Sequence, residues 1–396
     1  MLIGIVGKPN VGKSTFFSAA TMVPAEVANY PFTTIKPNRG VAYLRVKCPH
    51  EELGHPCNAR NSKCENGTRL VPVELLDVAG LVPDAHKGKG LGNQFLDDLR
   101  QADAFIHIID SSGSTDCEGN TVAACSHDPM EDVRFLEDEI AQWMKAILEK
   151  GWEKSARQAH LEGLKIHEMI YQKLTGLGVT ESAILTALRE TPMPENLLNW
   201  KDEELLKLCH AIRRYSKPMM IALNKADAAP AEFLQKMMSV PGYITVPTMS
   251  ETELALRKAS KGGLVSYHTG DAKFTINDPS KLNPAQKKAL DFMNQNMQRL
   301  NGTGIQNTLE TAAFKLLDLI VVYPVEDETK WTDHGGNVLP DALLIKRGST
   351  AKDLAYKIHT DLGDNFIRGI NARTKRVVGH DYVLQDGDVI SIVSKK

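Results

Sequence analysis

No apolar stretch of the 396-residue chain approaches the ~20 residues that a membrane-crossing helix needs, so no spanning helix is expected. A charge of one sign is missing as well. Against 47 Lys and Arg stand 49 Asp and Glu, so bulk electrostatics do not draw the chain to nucleic acid, and any RNA contact would have to come from a local patch. Six cysteines in so long a chain do not suggest a disulfide scaffold, which makes reduced thiols the expectation. The opening Met1-Leu2-Ile3-Gly4-Ile5-Val6 meets a glycine loop at once. It therefore lacks the charged n-region and longer apolar run of a leader, and a cytoplasmic location is expected. Internal repeats and low-complexity tracts are also missing.

What is present is ordinary globular composition, 42% hydrophobic and 24% charged, in a chain long enough for two or three domains. Leu2 to Val6 predicts a short buried strand, followed by a glycine-containing loop and a helix over Ser14 to Ala20. The apolar runs Val73 to Leu76 and Phe105 to Ile109 each end in an aspartate, and Pro218 to Leu223 ends in an asparagine. Polar residues at the carboxyl ends of parallel strands fit a doubly wound α/β nucleotide domain. Met130 to Lys150, Ser155 to Leu174 and Glu203 to Arg214 have helical spacing, and they read as an insertion before the sheet resumes. After Tyr323-Pro324 short strands flank one helix, Ala351 to Thr360. The expected domains are 1–127 and 216–320 for a discontinuous nucleotide domain, 128–215 for a helical subdomain and 321–396 for a C-terminal domain.

Gly7-Lys8-Pro9-Asn10-Val11-Gly12-Lys13-Ser14 matches G-x-x-x-x-G-K-[ST] between a strand and a helix. In this context backbone N–H groups from Lys8 to Thr15 cradle phosphates, Lys13 reaches the β- and γ-phosphates and Ser14 ligates magnesium. Asp77-Val78-Ala79-Gly80 ends a strand with a carboxylate that can hold magnesium and a glycine N–H that can meet the γ-phosphate. Between them lies Tyr30-Pro31-Phe32-Thr33-Thr34, with Thr34 chosen as a magnesium ligand. His86 to Gly92 suits a second switch loop. Asn224-Lys225-Ala226-Asp227 carries the residue types that read guanine, since a carboxylate can accept from its N1–H and exocyclic amine.

With these residues in place the chain resembles the Obg-like branch of translation-associated P-loop GTPases, in particular archaeal-type GTP-binding proteins with a C-terminal TGS domain. The resemblance rests on Asn29 to Thr34, on Asp77 to Val82 with Gly88 to Leu96, and on the block from Tyr323 to Val393. It implies a Ras-like nucleotide domain, an inserted helical subdomain, a β-grasp TGS domain and ribosome or RNA partners, with no membrane. It also implies hydrolysis of GTP to GDP in a nucleotide-gated switch; an ATPase, as in the sister branch, or an adaptor whose output is binding are the alternatives. The sister ATPases resemble this chain but lack the aspartate present here as Asp227. Leu81 stands where Ras-like enzymes place a water-orienting glutamine, which leaves His86 as a candidate catalytic residue beside Gly80. Asn10 occupies the position where potassium-dependent GTPases hold the ion. The fifth motif aligns loosely on Thr248-Met249-Ser250, with Ser250 as a base-site candidate.

Three weaker signals have plainer readings. Cys48, Cys57 and Cys64, with His50 and His55, could make a zinc site, but C-x8-C-x6-C lacks the paired C-x2-4-C unit, and a loop with unliganded thiols is expected. His107, inside an apolar run, reads as a core histidine. Arg373, Lys375 and Arg376 could touch RNA phosphates or form a solvated hairpin.

Overall fold

The computed structural model of the protein describes residues 1–21, 38–78, 80, 98 and 100–395. In chain order, β1 (Leu2–Val6) leads into α1 (Lys13–Thr21), and β2 (Arg39–Lys47), β3 (Lys63–Glu65) and β4 (Thr68–Asp77) precede β5 (Ala104–Asp110). The helices α2 (Pro129–Glu149), α3 (Trp152–Glu162), α4 (Ile166–Leu174), α5 (Glu181–Glu190) and α6 (Asp202–Ser216) separate β5 from β6 (Met219–Asn224). Then come α7 (Ala231–Met237), β7 (Thr245–Pro247), α8 (Ser250–Lys261), the hairpin strands β8 (Val265–Ser266) and β9 (Thr275–Ile276), α9 (Pro284–Leu300) and α10 (Ile305–Glu310). The remaining elements are β10 (Leu319–Val325), β11 (Leu343–Lys346), α11 (Ala351–Ile358), α12 (Thr360–Asp364), β12 (Phe366–Asn371), β13 (Arg376–Val378) and β14 (Val389–Ser394). Among the described residues no helix is long and apolar enough to cross a membrane.

The chain forms two compact units, one from Leu2–Ala20 and Leu75–Thr308, the other from Met1, Thr21–Glu74 and Leu309–Lys396. In the first, β5 is buried along its whole length between parallel neighbours, with Ile3 opposite Ala104 on one side and Phe105 opposite Met219 on the other. Burial on both faces is why these strands read as unbroken apolar runs. β6 in turn pairs with β7, and Val78 N–H donates to the Ile5 carbonyl at 3.1 Å. Val6, Asp77, Asp110 and Asn224 therefore end their strands at one edge, where ligands of open α/β sheets bind. The apolar stripes of α2, α4, α5 and α6 meet in a core that includes Leu136, Met144, Ile170, Ile184, Leu208 and Ile212. The helix expected over Ser155 to Leu174 is two, because Gly163 takes a left-handed φ of 66° and caps α3.

In the second unit β3 and β4 pair antiparallel, with Lys63 opposite Leu70 and Glu65 opposite Thr68. A five-stranded sheet has the order β11-β10-β14-β12-β13, in which only β10 and β14 run parallel. Leu354 of α11 packs against Ile320, Val322 and Ile390 of that sheet, the β-grasp arrangement. The helix expected over Ala351 to Thr360 ends at Ile358, and Thr360 opens α12.

Candidate functional site

The loop from Gly7 to Gly12 joins β1 to α1, so the helix opens at Lys13 with Ser14 and Thr15 in its first turn. Gly12 has φ +97°, and a Cβ there would lie 2.3 Å from Nδ2 of Asn224, so only glycine fits this close approach. Lys13 folds back over the loop and donates from Nζ to the Lys8 carbonyl at 2.7 Å. Burial depresses its ammonium to about 8, with the Asp77 carboxylate working against the shift. Ser14 Oγ donates to Asp77 Oδ2 at 2.9 Å, which brings together the two expected magnesium ligands from α1 and β4. Burial raises the Asp77 carboxyl, opposed by the Ser14 hydrogen bond and by Lys13. Gly80 packs on the same loop: a Cβ there would lie 3.2 Å from Lys13 Nζ and 3.2 Å from Pro9 Cγ. Thr34, Leu81 and His86 lie outside the described residues.

The side chain of Lys8 does not face the phosphate position. It is 3% exposed, and Nζ donates to the Thr115 carbonyl at 2.7 Å and to Asp132 Oδ1 of α2 at 2.9 Å. His127 Nε2 shares that carboxylate at 2.9 Å. Only the backbone of Lys8 is left for a ligand. Asn10, with φ 63°, donates from Nδ2 to the Gly119 carbonyl at 2.9 Å, so its Oδ1 is the atom a potassium ion would need. Gly119 itself sits against the loop, since a Cβ there would come within 2.9 Å of Pro9 Cβ. The segment after β5 thus braces the loop from outside, a role that no local motif announces.

Asn224 and Ser250, both expected at the base, also brace the two loops in this structure. Asn224, 3% exposed, donates from Nδ2 to the Val11 carbonyl at 2.8 Å. Its Oδ1 accepts from Ser250 Oγ at 2.8 Å and from Ser250 N–H at 3.2 Å. Both donors of Ser250 are therefore spent on Asn224, and the open N–H groups of the first turn of α8 belong to the residues after it. Lys225 Nζ donates to Asp110 Oδ2 at 2.9 Å. Burial alone would raise the Asp110 carboxyl, but hydrogen bonds from Ser112, Thr115 and Lys225 and the lysine charge bring it to about 2. Asp227 is half-buried and accepts only a long 3.4 Å bond from Thr252 Oγ1 among the described residues, which leaves its carboxylate available. Arg299 Nη2 fixes the turn by donating to the Ala226 carbonyl at 2.7 Å.

Two of the weaker signals settle as structure. His107 is fully buried and, by burial first and then the charges of Lys13 and Lys8, held down to about 3, so it is neutral. Arg373 grips Glu52 through two bonds of 2.7 and 2.8 Å, and Lys375 donates to the Glu328 carbonyl. These two cations are committed within their unit rather than free for phosphates.

Residues 2–148 match a family model described as 50S ribosome-binding GTPase, 222–327 one described as Obg-like GTPase YGR210-like, G4 motif-containing domain, and 336–394 the TGS domain. A GTP-binding protein of Methanocaldococcus jannaschii is 52% identical, with 99% of each chain covered. The ribosome-binding ATPase YchF of Bacillus subtilis is 29% identical over 98% of this chain and 97% of its own. Among solved structures, a GTP-binding protein from Pyrococcus horikoshii OT3 superposes with a TM-score of 0.79 at 43% identity, covering 100% of both chains.

Proposed function

From the premise that this chain belongs to the Obg-like family of P-loop GTP-binding proteins with a TGS domain, we propose that it is a magnesium-dependent GTPase acting as a nucleotide-gated switch on the ribosome or RNA. The observation that carries this reading is the meeting of Lys13, Ser14, Asp77 and Gly80 at one end of the strands whose other member ends in Asn224 to Asp227. Ser14 and Asp77 offer hard oxygen donors 2.9 Å apart beside the phosphate loop, a set suited to magnesium. The ion, when bound, would neutralise charge on the β- and γ-phosphate oxygens. Lys13 would leave the Lys8 carbonyl for those phosphates, the loop's N–H groups would orient them, and the Gly80 N–H would meet the γ-phosphate. Thr34 would complete the metal site. His86 is the candidate for positioning water, since Leu81 has no hydrogen-bonding group. Asp227 would select guanine. The ribosome-binding character is taken from relatives so named, such as the Bacillus subtilis protein.

That relative's designation as an ATPase is what favours the second reading. Binding of GDP, GTP, ADP and ATP with magnesium, followed by single-turnover hydrolysis in potassium against sodium, separates the two. Guanine preference by orders of magnitude, with slow GTP turnover, is expected; equal binding of adenine nucleotides would hand the chain to the ATPase reading. Faster turnover in potassium is the result that would implicate Asn10.

The depressed lysine adds a pH signature. In the empty protein Lys13 loses its proton near pH about 8 instead of 10.5, whereas phosphates bound beside it would keep it charged. Nucleotide binding should therefore take up a proton, and affinity should fall as pH rises through about 8. Titration calorimetry in buffers of different ionisation heat, on either side of pH about 8, checks this. Binding with no proton exchange there would contradict the assigned position of Lys13.

A further inference from the structure

The loop between β2 and β4, expected to carry unliganded thiols, instead folds Cys48, His50, Cys57 and Cys64 into one cluster. Their ligand atoms all lie within 4.8 Å of one another. Cys48 follows β2, His50 sits in the turn Pro49–Glu52, and Cys64 lies in β3, so two strands and the turn converge on the group. We propose that these four residues bind a zinc ion in a closed, structural site.

The spacing of the atoms fits that ion. Zinc with Zn–S near 2.3 Å and Zn–N near 2.1 Å in tetrahedral geometry puts neighbouring sulfurs about 3.8 Å apart and sulfur and nitrogen about 3.6 Å apart. Cys48 Sγ and Cys57 Sγ are 3.8 Å apart, and Cys64 Sγ lies 3.5 Å from His50 Nδ1. A disulfide would need about 2.05 Å between sulfurs, so the cysteines stand at metal-sharing rather than bonded separation. Three soft thiolates and one imidazole are a zinc donor set, and four protein ligands leave no position open for chemistry.

The surroundings suit thiolates. Arg69 is fully buried and donates from Nη1 to Cys57 Sγ at 3.4 Å, while Nε bonds Ser62 Oγ at 2.6 Å and Nη2 the Leu339 carbonyl at 2.7 Å. A fixed guanidinium of this kind offsets the single negative charge that three thiolates leave on a divalent ion, and its bonds orient a ligand from outside. The buried hydroxyl of Tyr323 has no hydrogen-bond partner among the described residues. The ion would tie the turn after β2 to β3 and so hold Arg69 against the 339–340 backbone.

The full chain, purified under reducing conditions without affinity metals, is analysed for zinc by mass spectrometry before and after reconstitution with zinc alone. About one zinc per chain is expected. Cobalt substitution of the unaltered chain should give the visible bands of a tetrahedral site and the near-ultraviolet charge transfer of thiolate ligands. Cys57→Ser and Cys64→Ser should each lose most of the metal, whereas Cys117→Ser and Cys125→Ser, exposed residues outside the cluster, should keep it. A reconstituted chain without zinc, a Cys48–Cys57 disulfide, an iron centre, or an octahedral cobalt spectrum would each overturn the proposal. The cobalt spectrum needs no variant, so a misfolded cysteine mutant does not shelter the idea.

Discussion

Asp227→Asn is expected to weaken GDP and GTP binding by about 10²- to 10³-fold while leaving the weak binding of ADP unchanged. Among the described residues the carboxylate has one long bond, to Thr252, and it can accept both guanine donors. Hydrogen bonds to a charged group contribute about 1.5–3 kcal/mol each, and an amide in its place can accept one and must turn its own N–H towards the other donor. The same amide can donate to a carbonyl, so xanthine nucleotides should gain affinity as guanine nucleotides lose it. Fluorescence titration with the four nucleotides reads both changes. If GDP affinity stays within a fewfold of the parent, Asp227 does not read the base.

Asn224→Ala is expected to cost stability as well as binding. Its side chain joins the Val11 carbonyl to both donors of Ser250, and all three residues are buried. Orphaned buried polar groups cost about 1–3 kcal/mol each, so a loss of about 3 kcal/mol in chemical unfolding is expected after some relaxation. Nucleotide affinity should drop too, because the phosphate loop and the base loop lose their common brace. A variant that unfolds like the parent yet binds poorly would make Asn224 a direct ligand rather than a brace.

The phosphate loop, the strand-end aspartate and Asn224 to Asp227 were legible because each is a short run whose chemistry depends on its neighbours in sequence. Their role assignments were less so. Asn224 has the amide of a base reader, but its partners Val11 and Ser250 come from distant parts of the chain, and residue type alone cannot tell a strut from a contact. The same holds for Asp132, which is an ordinary helix-start carboxylate until the fold sets it on Lys8. Residues 38–74 read as a continuation of the nucleotide domain, yet they share a compact unit with the C-terminal sheet. The physical reason is visible in Arg69, whose guanidinium bonds the 339 and 340 carbonyls. The cysteine cluster was weighed and set aside because familiar zinc spacings describe one tight turn, whereas here the pairing of β3 with β4 helps supply the proximity. Gly163, by contrast, was a break that local chemistry could have signalled.

The pairing of Lys8 with Asp132 has a consequence for heredity. A helical insertion is often pictured as a cassette that recombination can add or remove at its two ends. Here its first turn supplies the counter-ion of a buried lysine inside the phosphate loop. Excising residues 128–215 would strand that ammonium, and an uncompensated buried charge costs about 3–5 kcal/mol. Descendants of such a deletion would need a second change at position 8 to survive it, so cassette and loop should pass down lineages together.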